Sequence, residues 1–142
     1  EELTQAMYKI HQYAIMCAPT ISQYAALEAF LHGENETKRM VDAYNQRRIL
    51  IYERLKDIGF DVCEPEGAFY IFPSIQKTGL NSEEFCNRLV QEYKAAVVPG
   101  NAFGACGEGF IRCSYSASIE KINIACDRMA EFVRPFMPKR EI

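Results

Sequence analysis

The chain has 142 residues, room for one compact domain with a core, and is 49% apolar and 25% charged, an ordinary globular balance. Its net charge of −3, with Lys and Arg scattered among Asp and Glu, argues against the concentrated basic field that nucleic acid or an anionic membrane requires. No apolar run approaches the roughly 18–20 residues of a membrane span. The chain opens on Glu1-Glu2-Leu3-Thr4 without initiator Met or leader, as expected of a boundary inside a longer protein.

Residues 1–16 read as the end of a helix, with Leu3, Met7, Ile10, Ala14 and Ile15 near helical spacing. Pro19 pushes Ala18 out of the helical region and breaks it. A second short helix is expected from about Ile21 to Leu31, kept slim by Ala25, Ala26 and Ala29 and ended by Gly33. Residues 34–58 read as one long amphipathic helix with a stripe of Val41, Tyr44, Ile51, Leu55 and Ile58, interrupted by Arg48 and stopped by Gly59. That length exceeds the usual helix of a small domain, so it is expected to bridge two bodies of structure.

The period then shortens to that of strands. Phe60–Cys63 is a short strand ending at Pro65, and the apolar run Ala68–Phe72 is consistent with a buried strand. Asn81 and Glu84 are spaced like a capping pair before a helix carrying Phe85, Leu89, Val90 and Tyr93. Ala95–Val98 is a further strand closed by Pro99-Gly100, and a small-residue loop, 101–109, read as a flexible connector, leads into the strand Phe110–Tyr115. Ser118 can cap a last helix with the stripe Ile119, Ile122, Cys126, Met129, Val133 and Phe136, ended by Pro135 and Pro138. The fold class is therefore α+β: a small sheet covered by helices and entered through a long helix.

Local sequence offers few chemical candidates. The six cysteines form no C-x-x-C pair, and the two histidines, His11 and His32, lie near none of them but Cys17, so no metal site is expected. The cysteines read as small buried hydrophobes of a reducing cytoplasm. Gly104, Gly107 and Gly109 precede a strand and lack a following Gly-Lys-Ser/Thr, unlike a phosphate loop. Glu64 and Glu66, flanking Pro65, read as a solvated turn. Arg112 is the exception. Alternation places Phe110, Arg112 and Ser114 on one face of their strand and Ile111, Cys113 and Tyr115 on the other. An arginine inside an apolar strand needs a partner. From the strand alone, an internal ion pair or an edge-strand charge is the simpler reading, and a fork-shaped donor for a ligand carboxylate is the other.

Three segments in order resemble the C-terminal third of the class I/II, fold-type-I aminotransferases of the aspartate and aromatic kind: CAPTISQYAALEAF at 17–30, LKDIGFDVCEPEGAFYIFP at 55–73 and VVPGNAFGACGEGFIRCSYS at 97–116. The resemblance covers nearly the whole chain. It implies that residues 1–33 are the tail of the large domain with the interdomain segment, and 34–142 the small C-terminal domain with a mainly antiparallel sheet. It implies that Arg112 binds the α-carboxylate of the amino acid or 2-oxo acid, with Phe69 and Tyr70 close to the substrate pocket, core packing being their other reading. The stretch around Pro19 resembles a segment that nears the active site across the dimer interface. The cofactor implied is pyridoxal phosphate, whose lysine and phosphate-binding groups would lie upstream; no lysine here stands in that sequence context. The expected whole is a cytoplasmic homodimeric transaminase, and the chain alone would be inactive. A related lyase or synthase, or a stand-alone α+β interaction module with Arg112 in a structural ion pair, are the alternatives.

Overall fold

A computed structural model describes residues 1–137, so Pro138 lies outside the described residues. The chain divides into two compact units, Glu1–Met40 and Val41 onward. No helix among the described residues is long and apolar enough to cross a membrane.

The first unit holds α1 (Glu2–Ala14), α2 (Thr20–His32) and the first turns of α3 (Glu34–Ile58). Pro19 is the N-cap of α2, and its carbonyl accepts from the Ser22 and Gln23 N–H groups. Gly33 is the sole residue between α2 and α3. Its φ of −85° is right-handed. Glycine is required there by close approach, because a Cβ would sit 2.4 Å from the Ala29 carbonyl oxygen. Every side chain from 1 to 32 is exposed, including Met7, Ile10, Tyr24, Leu27 and Phe30.

The second unit contains the core. Three short strands, β1 (Tyr70–Ile71), β2 (Val98–Pro99) and β3 (Ile111–Ser114), form an antiparallel sheet of order β1-β3-β2. Buried side chains come from α3 (Ile51, Leu55), from α4 (Ser82–Tyr93; Phe85, Cys86, Leu89) and from α5 (Ile119–Val133; Ile122, Cys126, Met129, Phe132, Val133). Phe85 and Phe132 meet edge to face at 5.0 Å, a favoured aromatic geometry. Asn81 caps α4, its side chain accepting from the Glu84 N–H at 2.8 Å, and Ser118 does the same for α5 through the Lys121 N–H.

Several expectations need correction. The segment 60–63 forms no strand; only Asp61 bridges to Ser74, and Phe60 turns into the core instead. The apolar run Ala68–Phe72 is not a buried strand: Ile71 is buried, while Phe69 and Phe72 are 39% and 41% exposed. β2 is Val98–Pro99 rather than 95–98. The 101–109 segment is folded, with 3-10 turns at Gly100–Phe103 and Ala105–Gly107. Along the predicted stripes Val41, Val90 and Ile119 are exposed. Cys86, Cys113 and Cys126 are buried as expected, but Cys17, Cys63 and Cys106 are exposed. Burial pushes the Cys86 thiol up to about 11 and raises those of Cys113 and Cys126 as well, so all three stay protonated at neutral pH.

Candidate functional site

Arg112 lies on the central strand, opposite Val98 of β2. Its neighbours Ile111 and Cys113 are buried on the other face, as strand alternation requires, so the arginine projects from the face that the core leaves free. It is half-buried. Tyr70 pairs with Ser114, which makes it the diagonal cross-strand neighbour of Arg112, within reach of long side chains. The guanidinium carbon stands 4.2 Å from the centre of the Tyr70 ring. It also stands 4.3 Å from the ring of Phe103, which the chain delivers from the turn just after β2. Tyr70 and Phe103 make no ring contact with each other among the described residues, so the guanidinium occupies the space between them.

No hydrogen bond or salt bridge ties Arg112 to any described residue. The edge-strand and ion-pair readings thus both fail on the described chain: β3 is central, and no described acid pairs with Arg112. Glu64 accepts from Arg48, Asp127 from Arg54, Asp61 from Lys77, and Glu108 from Ser82 and Gly109. The arginine's planar fork of five donors is turned toward aromatic faces and solvent.

Two local constructions hold the flanking rings. Before β1, Arg48 of α3 donates to the Glu64 carboxylate at 2.6 Å and to the Pro65 carbonyl at 3.2 Å. The buried Tyr115 then gathers the turn. Its hydroxyl donates to the Ala68 carbonyl at 3.0 Å, and its N–H to that of Phe69 at 2.9 Å. Burial raises the Tyr115 pKa, so the hydroxyl remains a neutral donor. Ala68 is held at φ 58°, a left-handed conformation that costs an alanine about 1–2 kcal/mol. After β2, Gly100 and Gly107 pack so closely that a Cβ on either would lie 2.1 Å from the other's carbonyl oxygen. The Glu108 carboxylate closes this loop onto α4, accepting from the Ser82 N–H at 2.8 Å, the Ser82 hydroxyl at 3.0 Å and the Gly109 N–H at 3.0 Å. Phe103 rests edge to face on Phe72 at 5.6 Å.

Of the three residues expected at the site, Arg112 and Tyr70 come together. Phe69 touches Tyr70, ring to ring at 4.5 Å, and faces Tyr44 at 6.1 Å; it makes no stacking contact with Arg112. Phe69 instead lines a cleft of about 360 Å³ with Tyr44, Arg48, Gly67 and Tyr115. Sequence reading missed Phe103. Its signals were an aromatic residue in a loop otherwise made of small ones, and its place in the Pro99-Gly100-x-x-Phe103-Gly104 part of the third motif.

Pyridoxal phosphate needs a lysine for its aldehyde, and Lys56, Lys77 and Lys94 are engaged elsewhere. Lys77 is bound to Asp61 and the Gly59 carbonyl, Lys94 to the Gln91 carbonyl, and Lys56 stacks on Tyr52. No lysine among the described residues bonds to or stacks on the Arg112 group.

Residues 1–129 match the family described as aminotransferase class I and II. The chain is 50% identical over 131 residues to the putative aminotransferase YugH of Bacillus subtilis (strain 168), covering 92% of this chain and 34% of that protein. It is 44% identical over 135 residues to an aspartate aminotransferase of Pyrococcus abyssi, covering 93% and 34%. Among solved structures, an aromatic aminotransferase from Pyrococcus horikoshii superposes with a TM-score of 0.83 at 39% identity, covering 92% of this chain and 36% of that one. The chain thus spans about a third of the length of these relatives. On the family match, the motifs and the shared fold together, this chain belongs to the class I and II aminotransferases.

Proposed function

We propose that the chain is the C-terminal part of a transaminase that moves an amino group between an L-amino acid and a 2-oxo acid, with Arg112 binding the α-carboxylate common to both. The observation that carries this reading is the state of Arg112: a planar, permanently charged fork on a central strand, held between two rings, with no acidic partner among the described residues. Such a group is suited to a carboxylate, which it takes through two parallel hydrogen bonds. Fixing the carboxylate plane fixes the direction of the bonds at the substrate's Cα, a positioning effect. Tyr70 forms one wall beside that carboxylate, and Phe69, in contact with Tyr70, lies further out toward its own cleft.

Pyridoxal phosphate would supply the electron sink at Cα. In this reading its lysine and most of its seat would come from the large domain upstream, since no lysine here stands in the family's sequence context. In this reading residues 1–33 finish the large domain, 34–142 form the small one, and the protein is a homodimer. The uniformly exposed apolar side chains of 1–32 support it, as surfaces of this kind are normally covered by other protein. Unpaired cysteines throughout are consistent with a cytoplasmic setting.

The test uses the full-length protein with pyridoxal phosphate and a ¹⁵N-labelled L-amino acid. Label arriving on an added 2-oxo acid is the expected result, and the 142-residue chain alone should transfer none. Loss of a side-chain substituent from the amino acid, with no label transferred, would replace this reading by a lyase or synthase of the same fold.

A further inference from the structure

We infer that Phe103 is a positioning residue: with Tyr70 it clamps the Arg112 guanidinium and sets the plane in which that group meets a carboxylate. The inference rests on the carboxylate-binding reading of Arg112 and goes beyond it by adding a residue that touches no substrate in this argument.

An arginine side chain has four rotatable bonds, and fixing it in water costs conformational entropy. Arg112 has no hydrogen bond among the described residues to hold it, so its orientation must come from packing. Among the described residues its guanidinium carbon lies over two rings, Tyr70 and Phe103, at nearly equal distances of 4.2 Å and 4.3 Å. Flat contact with an aromatic face orients a guanidinium and leaves its in-plane N–H donors free, whereas an ion pair would consume them. The two rings are unequal in attachment. Tyr70 is fixed by β1 itself. Phe103 is 48% exposed and would be free but for its loop, which is locked by the Gly100–Gly107 approach, by the Glu108 bonds to α4 and by the Phe72 ring. A loop this heavily constrained, carrying one large side chain onto the charged group, is explained by a need to hold that ring in place. The clamp also keeps the arginine desolvated on two sides, which strengthens whatever bonds its edge makes.

The experiment is done on the full-length enzyme with Phe103→Leu, Phe103→Tyr and Arg112→Lys. Measured are KM and kcat for an L-amino acid, the inhibition constant of propionate (a carboxylate without an amino group), and the melting temperature. Phe103→Leu keeps an apolar side chain and removes the flat face. It should raise KM and the propionate constant together by roughly two- to thirtyfold, the range of a lost cation–π contact. The kcat should fall as well, though by less than KM rises, because the carboxylate plane sets the direction of the bonds at the substrate's Cα. Phe103→Tyr restores the face and should return both constants to near the parent values. If Phe103→Leu does not fold, Phe103→Met takes its place in the series.

The outcomes separate the two layers of the argument. If Arg112→Lys weakens propionate and Phe103→Leu does not, the clamp is refuted and the carboxylate site stands. If Phe103→Tyr is as impaired as Phe103→Leu, the ring serves loop packing alone and the clamp is again refuted. If neither Arg112→Lys nor Phe103→Leu changes propionate binding, the carboxylate reading fails and takes the clamp with it.

Discussion

Replacing Arg112 by lysine keeps the positive charge and removes the geometry. The guanidinium offers two parallel N–H donors to a carboxylate and a flat face to each of two rings at 4.2 Å and 4.3 Å. An ammonium group offers one directed contact and no plane. Losing one charge-assisted hydrogen bond costs about 1.5–3 kcal/mol. Weaker stacking brings the total to about 2–4 kcal/mol, or roughly thirty- to a thousandfold in kcat/KM. Every amino-acid substrate should suffer, since all carry the α-carboxylate, and an amine without it should suffer much less. The effect on stability should be small, because Arg112 has no ion pair to lose among the described residues, and the melting temperature should shift by only a few degrees. The assay is kcat/KM and melting temperature on the same preparations of the full-length enzyme. A variant that melts early but turns over normally per folded molecule would make Arg112 a structural residue and refute the site.

Other consequences can be checked more simply. Ala68→Gly relieves the left-handed strain at φ 58° and should stabilise the second unit by about 1 kcal/mol in a denaturant titration, whereas no gain would mean that Tyr115 alone dictates that turn. The Glu108 carboxyl is held below its ordinary value of 4.5, first by the Ser82 N–H and then by Gly109 and the Ser82 hydroxyl. A lowered folded pKa contributes stability above 4.5 that is lost as pH falls through the lower folded value. Thermal melts from about pH 5 to 3 should therefore drop more steeply for the parent than for Glu108→Gln, and parallel acid limbs would contradict the assignment. In amide exchange on the 142-residue chain, residues 1–33 should exchange well before the core segments of 51–133; equal protection in a strictly monomeric sample would overturn the division.

Helices were the part of this molecule most legible in its sequence. Apolar spacing marked α1, α3 and α5, Asn81 and Ser118 marked the starts of α4 and α5, and Pro19 and Gly33 marked the limits of α2. These signals are local: a helix satisfies its own backbone, and its caps act within one turn. Strand alternation was local too, and it correctly turned Arg112 away from the core face. The three motifs went further, because they carried the family in their residue order.

Strand limits and ring positions could not be read in that way. A strand is made by its partner, and segment 60–63, despite Phe60 and Val62, has only one bridge, at Asp61. The exposure of Phe69 and Phe72 depends on which face the sheet covers, and the burial of Cys86 but not Cys63 depends on which helices pack there. Phe103 met Arg112 only because two glycines and a glutamate fold a loop of small residues back toward the sheet. That approach depends on the backbone path of the loop between Phe103 and Arg112, which composition does not reveal. Sequence determined the helices, the face of Arg112 and the family, since each is encoded in spacing along the chain. Tertiary structure decided what stands beside the arginine, since that depends on distances between segments the chain brings together only by folding.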